Sequence, residues 1–115
     1  MRNPRTKKTF SKYMNFIAEG FLEKCNLCDK KKTKSIKEFK YWRIIKNQFP
    51  YDRITKINHL IVLKRHVISA KLNKKEREEL EKIKIDYMVG NYDYTLESLK
   101  KSIPDHFHLH LMIFK

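Results

Sequence analysis

The feature that most constrains this chain is a strict alternation of histidine with apolar residues near its C-terminus. In the segment DHFHLHLMIFK, histidine stands at positions 106, 108 and 110, and apolar residues stand at 107, 109, 111 and 112. Alternate side chains of an extended strand share one face and follow one another at roughly 6–7 Å. The pattern therefore predicts a strand with three imidazoles on one face and Phe107, Leu109 and Leu111 facing the core. The alternatives are chance alternation and an incidental metal-binding patch.

Length and composition limit the architecture and the location. The chain has 115 residues, of which 41% are hydrophobic and 12% aromatic, and this is typical of one globular domain. No apolar run approaches the roughly 20 residues that a membrane-spanning helix needs. The basic N-terminus lacks the continuous apolar stretch of a secretory signal. We therefore expect a cytoplasmic protein that has no contact with membranes.

The charge of the chain favours anionic partners. Lysine and arginine number 27 against 13 acidic residues, which gives a formal net charge of +14. Such a charge attracts phosphorylated ligands and polyanions, so nucleic acid is a candidate partner. The alternative is a compositional bias of the genome that leaves most lysines on a solvated surface.

Hydrophobic patterning predicts a mixture of strands and helices. The stretch FKYWRIIK (39–46) predicts a strand that ends before Pro50, and HLIVLK (59–64) predicts a strand buried on both faces. Asn73 with Glu76 three residues later predicts a capping box that opens the one long helix, which Gly90 is placed to end. YDYTLES (92–98) is a further candidate strand.

Residues 1–35 have a different sequence pattern from the rest of the chain. Residues 1–24 form a basic extension whose apolar residues are spaced as in a short amphipathic helix. The segment CNLCDKKKTKS (25–35) is polar and predicts a loop. It carries the two cysteines of the chain, Cys25 and Cys28, and in a cytosolic protein such a pair indicates metal binding or redox activity sooner than a structural disulfide.

Two blocks of sequence resemble one protein family. The run His106-Phe107-His108-Leu109-His110-Leu111-Met112 is similar at every position to the His-φ-His-φ-His-φ-φ signature (φ, hydrophobic) of the histidine-triad (HIT-like) superfamily. Upstream, NQFPYDRITKINHLIVLKRHV is similar to the family's Asn-x-Phe/Tyr-Pro-Tyr segment and the His-hydrophobic-Leu-Val-x-Pro-Lys-Arg-His segment that follows it. The resemblance covers about residues 25–114, so the extension 1–24 lies outside the HIT-like domain expected at 25–115.

The resemblance implies a nucleotide hydrolase or nucleotidyltransferase. His108 matches the family's nucleophile, which attacks the α-phosphorus of a nucleotide ester, anhydride or phosphoramidate and forms a nucleotidyl-histidine. His110 matches the histidine that binds phosphate oxygens. His59 matches a fourth histidine that orients the triad from the neighbouring strand.

The same resemblance implies a nucleotide subsite. Asn47, Phe49 and Ile44 correspond roughly to positions that hold ribose and base, although Asn47 could instead stabilise the turn before Pro50 and Phe49 could be core. Ser102 stands in KKSIPDH, where many relatives have Gly-Gln-Ser, and there it could contact phosphate. Asp105 adds an anion beside that site, and Leu63 replaces the family's proline.

The resemblance also implies a metal and a quaternary structure. A subset of the family, the zinc-containing bacterial-type branch among them, holds structural Zn²⁺ with the residues that here are Cys25, Cys28, His66 and His106, a set that suits tetrahedral zinc. The expected fold is α+β, with an antiparallel sheet of about five strands, one long helix and a small N-terminal zinc knuckle. A homodimer joined through the helix and an edge strand is expected.

Two further interpretations of function remain open. One is a non-catalytic nucleotide or nucleic-acid binding module with a basic surface, whose binding weakens steeply with salt and survives loss of His108. The other is a zinc-held structural protein whose active site has decayed, for which nucleotides would leave the melting temperature unchanged.

Overall fold

The described residues form a five-stranded antiparallel sheet with two helices, which confirms the predicted α+β class. The computed structural model describes residues 3–19, 25–28, 30–31, 33–99 and 106–115. In chain order its elements are α1 (Lys7–Ala18), a 3₁₀ turn (Asn26–Cys28), β1 (Ser35–Glu38), β2 (Trp42–Lys46), β3 (Thr55–Leu63), a 3₁₀ turn (Ser69–Lys71), α2 (Lys74–Ile83), β4 (Tyr94–Leu96) and β5 (His108–Phe114). A π-helical turn (Lys84–Met88) and one more α-helical turn (Val89–Asn91) extend α2.

The strand that carries the histidines lies inside the sheet. The strand order is β1-β2-β3-β5-β4, so β5 is hydrogen-bonded to β3 on one side and to β4 on the other. Val62 of β3 lies opposite His108, and Leu60 lies opposite His110. This register decides which side chains of β3 share a face with the histidines.

One face of the sheet packs against α2 and is apolar. Trp42 and Ile44 of β2, Ile61 and Leu63 of β3, and Leu111 of β5 are fully buried there. Ile83, Met88 and Phe107 complete this core. Each large apolar side chain buried in this way contributes roughly 1.5–3 kcal/mol. The predicted inward set Phe107, Leu109 and Leu111 does pack against this core, with Leu109 only half-buried.

The start of α2 confirms the predicted capping box. The Asn73 side chain accepts from the Glu76 backbone N–H at 2.8 Å, and the Glu76 carboxylate accepts from the Asn73 N–H at 2.9 Å. Arg65, just after β3, donates twice to the same carboxylate, at 2.7 and 2.8 Å. The helix runs to Asn91, one residue beyond the predicted stop at Gly90.

Strand β1 was not predicted from the sequence. The segment expected to be a loop contains the turn Asn26–Cys28 and leads into β1, whose four residues are all exposed. Backbone pairing with β2 defines this edge strand, since none of its side chains is buried in the core. Within the described residues, no helix has the length and apolar character needed to cross a bilayer.

Candidate metal and histidine site

The three C-terminal histidines lie on the sheet face opposite the helix-covered core. We call His106, His108 and His110 the histidine row; they are 1%, 8% and 5% exposed. The rings of His108 and His110 are 6.1 Å apart between centroids, as expected for alternate residues of a strand. The register with Leu60 and Val62 places the row over a small second cluster of buried apolar residues.

A four-residue cluster at the His106 end could hold a metal ion. The ligand atoms of Cys25, Cys28, His66 and His106 all lie within 4.8 Å of one another. The Cys28 Sγ is 3.2 Å from His66 Nδ1 and 3.4 Å from His106 Nδ1, and the Cys25 Sγ is 3.2 Å from His106 Nδ1. A tetrahedral ion with bonds of 2.0–2.3 Å places its ligand atoms roughly 3.3–3.8 Å apart. The two thiols and two imidazoles therefore fit one tetrahedral cation.

The ring of His106 is set up to bind a metal through Nδ1. Its Nε2–H donates to the Leu63 carbonyl at 2.5 Å, and because a carbonyl only accepts, the ring proton is on Nε2. Nδ1, which faces the two sulfurs, then carries the lone pair. Burial lowers the pKa of His106; the hydrogen bond to the Leu63 carbonyl opposes this shift and the neighbouring His66 adds to it. The net pKa lies below the ordinary value, which favours the neutral ring that metal binding requires. A backbone acceptor on the second nitrogen is the usual way of orienting a metal-binding histidine.

The thiols need a compensating cation. Burial, together with a hydrogen bond and charge repulsion from Cys25, raises the pKa of the Cys28 thiol to about 11. Two thiolates side by side are unfavourable unless a positive charge lies between them, and a divalent metal ion supplies that charge when it binds. The donor chemistry is therefore consistent with the tetrahedral geometry.

A buried arginine on β2 attaches the cysteine knuckle (residues 25–28) to the sheet. Arg43 Nη2 donates to the Leu27 carbonyl at 2.8 Å and to Thr33 Oγ1 at 2.7 Å, and Nη1 donates to the Thr33 carbonyl. Leu27 packs into the apolar cluster of β2 and β3 on this face. Sequence reasoning missed Arg43, although a lone arginine in the run YWRIIK was the available signal.

The ring of His108 has a defined proton position. Its Nδ1 lies 2.9 Å from the backbone carbonyl of His106, so Nδ1 carries the proton and donates it. In the neutral ring the lone pair is then on Nε2. The backbone of one candidate metal ligand therefore orients the middle histidine of the row.

Asn58 determines the proton position of His110. Its amide Nδ2, which can only donate, lies 3.1 Å from His110 Nδ1, so the neutral His110 ring carries its proton on Nε2. The Asn58 Oδ1 accepts from Asn47 Nδ2 at 3.0 Å and from the Tyr51 N–H at 2.9 Å. The Tyr51 ring stacks on His110 at 4.5 Å and 22°. Asn58 was missed because the sequence resemblance pointed to its neighbour, His59.

His59 does not join the histidine row. It pairs with Leu111 in the register, so it lies on the helix-covered face, where its Nδ1 is 2.6 Å from Tyr92 Oη. Burial raises the pKa of Tyr92 to about 12, so the phenol keeps its proton, and burial lowers the pKa of His59. Strand alternation places Asn58, and not His59, on the face of the histidine row, so Asn58 is the β3 side chain that contacts the row there.

The residues of the predicted nucleotide subsite do not all lie beside the histidine row. Ile44 is fully buried in the core beneath α2, so its side chain does not face the histidine row. Asn47 joins the Asn58 network and also accepts from the Phe49 N–H at 3.0 Å, which stabilises the turn before Pro50. Phe49 is half-buried against the rings of Tyr13 and Phe16. Ser102 lies outside the described residues.

Comparison of the chain with protein-family models, with curated proteins and with solved structures finds no match.

Proposed function

We propose that this chain is a histidine-triad protein that hydrolyses or transfers a nucleotidyl group at the α-phosphorus of a nucleoside phosphate ester, anhydride or phosphoramidate. The observation that carries the proposal is a pair of opposite hydrogen-bond partners on one sheet face: a carbonyl acceptor at His108 Nδ1 and an amide donor at His110 Nδ1. In the neutral rings these partners favour a lone pair on Nε2 of His108 and a proton on Nε2 of His110. One ring is therefore suited to attack phosphorus and the next to donate to a phosphate oxygen.

The reaction would proceed in two displacements. His108 Nε2 attacks the α-phosphorus, the bond to the leaving group breaks, and a nucleotidyl-histidine forms. Water, or another acceptor hydroxyl, then attacks the same phosphorus and releases His108. Imidazole suits both steps because it is neutral near pH 7, attacks without losing a proton and leaves readily. The His106 carbonyl would stabilise the positive charge that develops at His108 Nδ1, and the His110 Nε2–H would stabilise the negative charge on the phosphate.

We propose Zn²⁺ as the ion of the metal cluster. Two thiolates and two neutral imidazoles from Cys25, Cys28, His66 and His106 are a typical zinc set, and four protein ligands leave no open position for substrate. The bound ion would supply a structural cross-link between the cysteine knuckle and the start of β5. Residues 25–115 would then form the HIT-like domain.

The proposal includes a homodimer. Among the described strands, β4 lies at an edge of the sheet and exposes apolar side chains, with Tyr94 58% and Leu96 44% exposed. Such an edge can pair with a strand of a second subunit. Joining two such edges would extend the sheet across both subunits.

The charge supports a second candidate function. A formal net charge of +14 favours a non-catalytic nucleic-acid or nucleotide binding module, in which the histidine row would only contact the ligand. Binding of this kind would weaken steeply as salt rises and would persist in His108→Ala.

A turnover panel separates the two functions. Release of AMP is measured from a diadenosine polyphosphate, an adenosine phosphoramidate and an adenylylated DNA end, with wild type, His108→Ala and the control His59→Gln. We expect wild type and His59→Gln to turn over at least one substrate, and His108→Ala to lose at least about 10³-fold in kcat. Equal turnover by His108→Ala would overturn the mechanism. Absence of turnover by wild type, with binding of nucleotide or DNA retained, would favour the binding module.

A further inference from the structure

The N-terminal helix is joined to the loop of residues 47–53, which follows β2. The Asp52 carboxylate accepts from the Thr6 N–H at 2.8 Å, from the Thr6 hydroxyl at 3.2 Å and from the Thr9 hydroxyl. The Arg53 N–H donates to the Pro4 carbonyl at 3.0 Å. The carboxylate thus lies at the positive end of α1, where backbone N–H groups and the helix dipole favour an anion.

Arg5 connects this junction to the histidine row. Its Cζ lies 4.1 Å from the ring centroid of Tyr13 and 4.7 Å from that of Tyr51, and its Nε–H donates to the Phe49 carbonyl at 2.8 Å. The Tyr51 ring in turn stacks on His110 at 4.5 Å. An unbroken series of contacts therefore leads from α1 to the last histidine of the row. Guanidinium groups stack well on aromatic faces because they are planar and weakly hydrated.

Two of the contacts that hold His110 depend on the same loop. The hydrogen bond from Asn58 to Nδ1 limits rotation of the ring within its own plane. Stacking on Tyr51 limits tilting of that plane. The Tyr51 N–H also donates to Asn58 Oδ1, so a shift of the loop would disturb both contacts. The Tyr51 carbonyl accepts from the Ile54 and Thr55 N–H groups at 3.1 and 2.9 Å, so its backbone is held by the start of β3. The direction of the Tyr51 ring depends instead on the groups packed against its two faces, among them Arg5 and His110.

We propose that Arg5 is a positioning residue for the histidine site, holding Tyr51 against His110 and thereby fixing the direction of the His110 Nε2–H. The N-terminal segment is then part of the site and not an appendage to it. The catalytic meaning of this inference rests on the proposed function. The orientation of His110 does not, because it can be measured without any substrate.

The first test observes His110 directly in the full-length chain labelled with ¹⁵N. Imidazole ¹H–¹⁵N spectra are expected to show His110 protonated on Nε2, with ring protons shifted by the Tyr51 ring current. In Arg5→Ala, we expect this ring-current shift to fall by at least about half, and the two His110 nitrogens to move toward an average of the two tautomers. Arg5→Lys, which keeps the cation, should restore part of the shift.

The matched control is Arg53→Ala, which removes an exposed arginine from the same loop. Backbone amide spectra of β3 and β5 verify that each variant is folded. The inference is overturned if folded Arg5→Ala shows the wild-type His110 signals, or if Arg53→Ala changes them as much. A purely structural role for Arg5 would lower the melting temperature without moving the His110 signals.

The second test concerns turnover of whichever panel substrate the wild type accepts. Arg5→Ala should lower kcat about 10-fold while KM changes less than about 3-fold, because a misdirected His110 Nε2–H stabilises the transition state less well. An unchanged kcat in a variant whose His110 signals have moved would overturn the positioning role. If the wild type turns over nothing, the proposed function fails, and the spectroscopic result still decides whether Arg5 positions His110.

Discussion

The two ends of the histidine row are held by different kinds of interaction. At the His106 end, two thiols and two imidazoles converge within 4.8 Å, and buried Arg43 attaches the cysteine knuckle to the sheet. At the His110 end, an amide, a stacked phenol ring and Arg5 hold one imidazole. Ligation is close to all-or-none, whereas contacts of the second kind contribute about 1 kcal/mol each. The His106 end should therefore control whether the site forms, and the His110 end how well it is aligned.

The largest expected effect is loss of the metal cluster. Cys28→Ser removes one of the four candidate ligands, so we expect the variant not to retain the proposed ion and to lose on the order of 5 kcal/mol of unfolding free energy. Metal analysis and thermal unfolding with and without a chelator measure both, with the change Arg53→Ala, at an exposed residue that is not a candidate ligand, as control. A Cys28→Ser protein that keeps one metal per chain and the wild-type melting temperature would contradict the cluster.

The second-largest expected effect is the loss of stability when Arg43, which attaches the cysteine knuckle to the sheet, is replaced. Arg43→Met keeps the length of the side chain but leaves the buried carbonyls of Leu27 and Thr33 without their donor. We expect a loss of about 2–4 kcal/mol in urea unfolding. Arg53→Met, on an exposed arginine, should stay within about 0.5 kcal/mol of wild type. Equal losses for the two variants would show that the Arg43 contacts are unimportant.

A change at Asn58 should affect alignment more than formation of the site. In Asn58→Asp, the carboxylate only accepts, so a proton on His110 Nδ1 becomes favourable and the Nε2–H is weakened as a donor to phosphate. We expect kcat to fall about 10-fold or more, because electrostatic stabilisation of the transition state is lost. Imidazole ¹⁵N spectra show where the proton lies. Wild-type kcat, or a His110 proton that stays on Nε2 alone, would contradict the assignment of Asn58.

The smallest expected effect is a pH-dependent change in stability at Asp52, which joins α1 to the loop of residues 47–53. Burial raises the pKa of Asp52, but hydrogen bonds from Thr6 and Thr9 outweigh it, so the net pKa lies below the ordinary value. The unfolded chain therefore binds this proton more readily, and the stabilisation is present above about pH 4 and lost as pH falls through the folded pKa.

Asp52→Asn tests this pH dependence. The variant should be less stable than wild type by about 1 kcal/mol at pH 7, and the difference should shrink below about pH 4. Unfolding by urea between pH 7 and pH 3 measures it. A difference that stays constant over this range would show that the Asp52 charge plays no part.

The sequence predicted the features that depend on local periodicity. Alternation predicted the two faces of β5, and the Asn73–Glu76 spacing predicted the capping box. The pairing of the cysteines with His66 and His106 came from the family resemblance, and the structure brings these four residues together.

What the sequence could not predict depends on register and on distant contacts. Asn58 and His59 are neighbours on opposite faces, and only the pairing of Val62 with His108 decides which one meets the row. Strand β1 has no apolar alternation to reveal it. The spacing of apolar residues indicated a helix in the extension 1–24, but its attachment to Asp52 joins residues more than forty positions apart.

The central claim is that His108 becomes covalently linked to the nucleotide. The most direct measurement is to mix the wild-type chain with the substrate it turns over, quench within the first turnover under alkaline conditions that preserve a phosphoramidate, and locate the added mass by peptide mapping. The account predicts a nucleotidyl group on the peptide that contains His108, absent from His108→Ala. Turnover without any adduct, or an adduct on another residue, would contradict it.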